Sequence, residues 1–143
     1  MPELTGKMTN TIKILLADDH QLVRKGFRAL LEELEFVEIV GEAANGKETI
    51  ALLRNGAKPN IGLLDYEMPI MNGLEAAEEI RRDYFGVKVI MLTMLQSKEL
   101  IEAAVAKGVS GFLFKNTSLE ELSDAIQRVA AGDTYFSSEV TLS

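Results

Sequence analysis

Five times along this chain a short apolar run is followed by an amphipathic segment, and no two of the runs are joined by a tight hairpin turn. That alternation is the strongest constraint in the sequence. Strands separated by helices run parallel, and their crossovers cover both faces of the sheet. The first run is I-K-I-L-L-A from Ile12, ended by Asp18-Asp19, and Val23, Phe27, Leu30 and Leu34 follow at helical spacing. The second, Val37 to Ala43, is broken by Glu38 and Glu42, as suits an edge strand; Asn45-Gly46 then opens a short helix that Asn55-Gly56 and Pro59 end. Ile61 to Leu64 is nearly all apolar, as in a strand covered on both faces, and Asn72 with Glu75 has the spacing of a capping box. Val87 to Leu92 ends at Thr93, and Ser97 and Gly108 bound the next helix. The last strand, Gly111 to Phe114, ends at Lys115; Thr117 and Glu120 have capping-box spacing ahead of the final helix, which Gly132 terminates. The pattern predicts a doubly wound α/β domain.

Composition narrows the chemistry. With 143 residues, 47% of them hydrophobic, one domain with a substantial core is expected. There is no cysteine and only one histidine, which leaves no thiolate chemistry and no multi-histidine metal site, so any metal must be held by oxygen. A net charge of −7 argues against nucleic-acid binding by this part of the chain, since phosphate contacts need clustered Lys and Arg. No apolar run approaches the ~20 residues of a membrane helix, and no signal peptide is visible, so the expected location is the cytoplasm with no membrane contact.

In an open parallel sheet, ligands bind outside the carboxyl ends of the strands. Asp18, Asp19, Asp65, Thr93 and Lys115 all stand at such ends. Gathered carboxylates repel by roughly 4 kcal/mol per pair at ~4 Å and an effective dielectric near 20, so one must protonate or a cation must join them. Mg²⁺ suits hard oxygen ligands and keeps waters to exchange with phosphate oxygens. A lysine and a threonine hydroxyl opposite it would complete a site for a tetrahedral dianion, with Asp65 as the nucleophile able to carry a phosphoryl group.

Four short elements in this order resemble the receiver domain of two-component response regulators: A-D-D-H at Ala17 to His20, D-Y-E-M-P-I-M-N-G at Asp65 to Gly73, M-L-T-M at Met91 to Met94, and G-F-L-F-K at Gly111 to Lys115. The resemblance covers nearly all of Ile12 to Ala131. It implies a flavodoxin-like fold, a five-stranded parallel sheet in the order 2-1-3-4-5 with five helices. It further implies Asp65 as phosphoacceptor, with Mg²⁺ held by Asp18, Asp19, Asp65 and the backbone oxygen of Glu67. Thr93 would be the switch hydroxyl, Lys115 the phosphate-binding cation and Phe112 the switch aromatic. The implied partner is a sensor histidine kinase, with self-catalysed phosphotransfer and autodephosphorylation in place of turnover on a free substrate. The tail from Ala125 to Val140 resembles the end of the receiver in the NarL/FixJ branch, where a linker and a LuxR-type helix-turn-helix domain normally follow. The implied organisation is a disordered leader over residues 1–11, a receiver over 12–131 and the start of a linker over 132–143. Homodimerisation on phosphorylation and DNA binding through a domain absent from this chain are the implied output, and a stand-alone receiver acting as an interaction module is the alternative.

Two positions depart from the family pattern. Asn116 follows Lys115 where many receivers have a proline, so nothing there lowers the cost of a cis peptide. Glu67 adds a negative charge two positions after Asp65, within reach of a phosphoryl group. A haloacid-dehalogenase-like phosphatase, which also uses a strand-end aspartate and Mg²⁺, is the enzymatic rival, with Glu67 as a weak imitation of its second acid. His20, a lone histidine entering a helix, reads as a surface residue.

Overall fold

The computed structural model describes residues 11–95 and 97–136. Strands and helices alternate as β1 (Ile12–Ala17), α1 (Gln21–Glu32), β2 (Val37–Ala43), α2 (Gly46–Arg54), β3 (Ile61–Asp65), α3 (Gly73–Asp83), β4 (Lys88–Thr93), α4 (Lys98–Ala106), β5 (Gly111–Phe114) and α5 (Leu119–Ala130), followed by a two-residue strand β6 (Tyr135–Phe136). The strands pair in parallel in the order β2-β1-β3-β4-β5-β6. This is the doubly wound, flavodoxin-like arrangement with five helices. β2 lies at one edge, which explains why its glutamates are tolerated, and β3 lies inside with every residue buried.

The sheet divides the core in two. Ile14, Leu16, Leu63, Ile90, Leu92 and Leu113 point to one side and pack on Phe27 and Leu31 of α1 and on Leu122, Ile126 and Val129 of α5. Leu15, Ala17, Leu64, Met91 and Phe112 point to the other, against Ile50 and Leu53 of α2, Ala77 and Ile80 of α3 and Ala104 of α4. Alternate residues of each strand thus serve opposite layers, which is the period-2 rule acting on a two-sided sheet.

The helices start where their caps allow. Asn72 accepts from the Glu75 amide at 2.8 Å while Glu75 accepts from the Asn72 amide at 2.9 Å, the reciprocal capping box its spacing predicts. At α5 the expected box is displaced by one residue. Ser118 is the cap, accepting from the Glu121 amide at 3.0 Å, and this frees the Thr117 hydroxyl to donate to the Glu121 carboxylate.

Among the described residues the sheet has six strands where five were expected. Gly132, at φ +100°, ends α5 and turns the chain back, and the Tyr135 amide then donates to the Ser110 carbonyl at 2.9 Å. This places Tyr135 beside Gly111 and Phe136 beside Phe112. A two-residue strand has no periodicity, so these positions read as linker in the sequence. The rest of the expected linker, residues 137–143, and all of the expected leader except Thr11 lie outside the described residues. Among the described residues, no helix is long and apolar enough to cross a membrane.

Candidate functional site

Asp18 follows β1, Asp65 closes β3, Thr93 closes β4 and Lys115 follows β5, so four strands deliver side chains to one edge of the sheet. The structure joins three of these closely. Lys115 Nζ lies 3.0 Å from Asp18 Oδ2 and 3.0 Å from Asp65 Oδ2, with the ammonium only 10% exposed and both carboxylates nearly sealed from solvent. Asp19, 29% exposed, forms the open side of the cluster. Thr93 is buried one position beyond Leu92, the register partner of Asp65, and its hydroxyl accepts from the Leu95 amide at 2.9 Å. Phe112 is fully buried and meets Phe114 edge to face, with ring centroids 6.1 Å apart.

Charge does not balance within this pocket. Three carboxylates face one ammonium, which leaves two negative charges uncompensated when all are ionised. Burial pushes the Asp65 carboxyl up to about 6; the short contact with Lys115 acts downward and the neighbouring Asp18 carboxylate acts upward. Burial works to lower the Lys115 ammonium, but its contacts with Asp65 and Asp18 outweigh that and hold it above its ordinary value. Lys115 therefore stays charged, and Asp65 holds its proton more tightly than an exposed aspartate does.

The loop after Asp65 is held from several sides. The Glu67 amide donates to Asp65 Oδ1 at 3.3 Å, the Gly73 amide to the Tyr66 carbonyl at 2.9 Å, and the Gly46 amide to the Met71 carbonyl at 2.8 Å. A Cβ on Gly73 would overlap the Asp65 carbonyl, and a Cβ on Gly46 would lie 2.6 Å from the Met71 carbonyl oxygen, so glycine is what lets both helix starts approach. Between these clamps Ile70 sits at φ +70°, and the Met71 amide bonds back to the Pro69 carbonyl at 2.7 Å. A β-branched residue in that tight turn is strained, by about 1–3 kcal/mol. The Glu67 side chain is exposed, and the Lys115–Asn116 peptide is trans.

The donor set fits a divalent cation. Asp18 Oδ2, Asp19 Oδ1 and Asp65 Oδ2 are buried carboxylate oxygens that no hydrogen bond from an amide or hydroxyl reaches, and the first and third meet the Lys115 ammonium at 3.0 Å. Oxygens in that condition favour a hard cation. Donor atoms of Asp18, Asp19, His20 and Asp65 all lie within 4.8 Å of one another. His20 is the member that reading the sequence set aside: its Nδ1 is 3.3 Å from Asp19 Oδ1 and 3.5 Å from Asp18 Oδ1, at the rim, with the side chain 65% exposed. Its adjacency to Asp18-Asp19 was the available signal. A cavity of about 440 Å³ among Leu53, Pro59, Tyr84, Phe85 and Val87 lies at the opposite end of the sheet and holds none of these carboxylates.

Fold and pocket together define a class: a doubly wound domain with an acidic, lysine-bridged cation pocket at the carboxyl edge of its sheet. Residues 14–127 match the family model of the response regulator receiver domain, and the chain belongs to that family. It is 38% identical over 130 residues to the response regulator protein VraR of Staphylococcus aureus (strain Mu3 / ATCC 700698), across 91% of this chain and 62% of VraR. The chain thus spans less than two thirds of the length of the curated relatives it matches. A LuxR-family two-component response regulator from Aurantimonas sp. SI85-9A1 superposes with a TM-score of 0.87 at 32% identity, covering 92% of this chain and 94% of that one. The isolated receiver of RcsB from Salmonella enterica serovar Typhimurium, solved with the phosphomimetic BeF₃⁻, gives 0.85 at 25% identity, covering 93% and 98%. In another RcsB structure, at 0.85 and 25% over 93% of this chain and 67% of that one, two dimers are bound to two parallel DNAs. These likenesses place the chain in the NarL/LuxR branch of the family.

Proposed function

We propose that Asp65 accepts a phosphoryl group from a phosphohistidine of a sensor histidine kinase, and that the modified domain switches a DNA-binding output by dimerising. The observation that carries this reading is the Lys115 ammonium 3.0 Å from Asp18 Oδ2 and from Asp65 Oδ2, with Asp19 Oδ1 a further buried carboxylate oxygen beside them. The ammonium beside Asp65 favours the ionised carboxylate, the form that can attack phosphorus, and offers a positive charge to the phosphoryl oxygens. In the transfer one Asp65 oxygen bonds to phosphorus as the phosphorus–nitrogen bond of the donor breaks, and the proton is retained on the leaving imidazole.

Asp18, Asp19, Asp65 and the Glu67 carbonyl would hold Mg²⁺, which supplies charge neutralisation at the transferring phosphoryl oxygens. Lys115 takes one phosphoryl oxygen, and the Thr93 hydroxyl, which now accepts from the Leu95 amide, turns to donate to another. Release of that amide loosens the loop after Thr93, and Phe112 responds in the adjoining strand; this is the bistable part that the phosphoryl group biases. The domain acts in the cytoplasm as a switch that dephosphorylates itself rather than as an enzyme turning over a free substrate. The DNA-binding part would lie in a further domain, consistent with the longer relatives.

Incubation with a small-molecule phosphodonor tests this reading. The expected result is Mg²⁺-dependent label on Asp65; label that survives Asp65→Asn unchanged sinks the assignment. Turnover of a generic phosphate ester would instead point to a phosphatase.

A further inference from the structure

Glu121, on the first turn of α5, faces two ways. Its Oε1 accepts a hydrogen bond from the Thr117 hydroxyl at 3.0 Å, and its Oε2 accepts one from the Tyr135 hydroxyl at 3.1 Å. Thr117 closes the turn that starts at Phe114, its amide bonded to the Phe114 carbonyl at 3.1 Å, so Lys115 lies inside that turn. Tyr135 opens β6, where Phe136 stands in register with Phe112. One carboxylate therefore bridges the turn that carries the pocket lysine and the strand by which the chain leaves the sheet.

The two bonds are unequal in what they hold. Helix α5 is secured without them, by the Ser118 cap and by burial of Leu122, Ala125, Ile126 and Val129. Strand β6 has two residues, and among the described residues its one side-chain hydrogen bond beyond the pairing with β5 is Tyr135 to Glu121. So short an edge strand is marginal, and small changes in its few contacts alter how long it stays docked. Thr117, Glu121 and Tyr135 are half-buried, and both bonds run to a carboxylate, the stronger kind of hydrogen bond.

We propose that Glu121 is a positioning residue that couples the Lys115 turn to the docking of β6, so that a phosphoryl group held by Lys115 secures the chain leaving at Phe136. The inference rests on the roles given above to Asp65 and Lys115. An anion bound at Lys115 fixes its turn, the fixed turn holds Thr117 on Glu121, and Glu121 so placed retains Tyr135. Linkage makes the effect reciprocal: loosening β6 must weaken anion binding by the same factor.

Amide hydrogen exchange at Tyr135 in the whole chain, with and without BeF₃⁻ and Mg²⁺, tests the coupling together with BeF₃⁻ titrations. In the unaltered chain exchange at Tyr135 slows on binding. Tyr135→Phe keeps the ring and the backbone bond, and it is expected to bind BeF₃⁻ about 2- to 10-fold more weakly and to lose that slowing, the range of one hydrogen bond. Thr117→Val, at the other end, is expected to do the same, and the double variant to bind no more weakly than either single one, because each breaks one path. Affinity and slowing unchanged in both variants overturn the coupling, as does lowered unfolding stability with unchanged affinity, which marks a merely structural bond. Failure of the unaltered chain to bind BeF₃⁻ with Mg²⁺ removes the pocket's assigned role and the coupling with it, a result distinct from binding that is intact but uncoupled.

Discussion

Replacing Asp65 with asparagine removes a charge while keeping the shape of a side chain that is nearly sealed from solvent. The carboxyl, ordinarily at 3.8, is raised to about 6 by burial, against the pull of Lys115. An acid with a raised value binds its proton more tightly folded than unfolded, so ionisation costs native stability as the pH climbs from 3.8 to about 6. At about 1.36 kcal/mol per pH unit, that interval corresponds to roughly 3 kcal/mol above pH 6, in the absence of metal. Asparagine escapes this cost, and with Lys115 left to Asp18 alone the expected gain is about 1–3 kcal/mol. Urea unfolding in a chelator should therefore show Asp65→Asn more stable than the parent at about pH 8, with the difference closing towards about pH 4. Saturating Mg²⁺, at about 100 times its dissociation constant, should add about 2.7 kcal/mol to the parent and less to the variant, narrowing the gap. A variant less stable than the parent at the higher pH in chelator, or a difference that ignores pH, would refute the account of a charge-strained pocket.

Lys115→Met takes away the cation between Asp18 and Asp65 and leaves two buried acids unpaired, so a loss of about 3 kcal/mol is expected near pH 8, recovered in part by Mg²⁺; thermal unfolding with and without metal reads it. Gly73→Ala pushes a methyl group against the Asp65 backbone, and a loss of about 1–3 kcal/mol in urea with slower labelling of Asp65 is expected; full stability would mean that the close approach is not required. Ile70→Gly should gain about 1 kcal/mol in the same assay, because Ile70 is exposed, gives up little packing, and is strained at φ +70°, which glycine adopts readily; a loss would place the strain elsewhere.

What could be read from the sequence follows from the range of the forces involved. The five long strands, the helices and their glycine stops were legible because apolar period, cap and terminator are local, and the Asn72 box appears as its spacing implies. That Asp18, Asp19, Asp65, Thr93 and Lys115 share an edge was legible as well, because parallel strands separated by helices present their carboxyl ends together. Which of them touch was not. Lys115 reaching both Asp18 and Asp65, and His20 reaching the rim, depend on register and twist across strands distant in sequence. Strand β6 was missed because it is set by the turn at Gly132 and by an open edge of β5, neither of which leaves a period in Tyr135-Phe136. The Thr117 cap was misplaced by one residue because two neighbouring hydroxyls have nearly the same spacing to two neighbouring glutamates, and only the loop geometry chooses between them.

The ammonium that bridges Asp18 and Asp65 stands just after the last of the long strands, and this has a consequence for the order of synthesis. A chain emerging from the ribosome presents β1, β3 and their acids well before Lys115, and nascent domains begin to organise at the pace of translation, about 5–20 residues per second. Until β5 pairs with β4, the acids have no lysine among them, and their charges must be met by protons or by a metal cation. The pocket is therefore complete only once β5 has paired with β4 and brought Lys115 to the edge that holds Asp18 and Asp65.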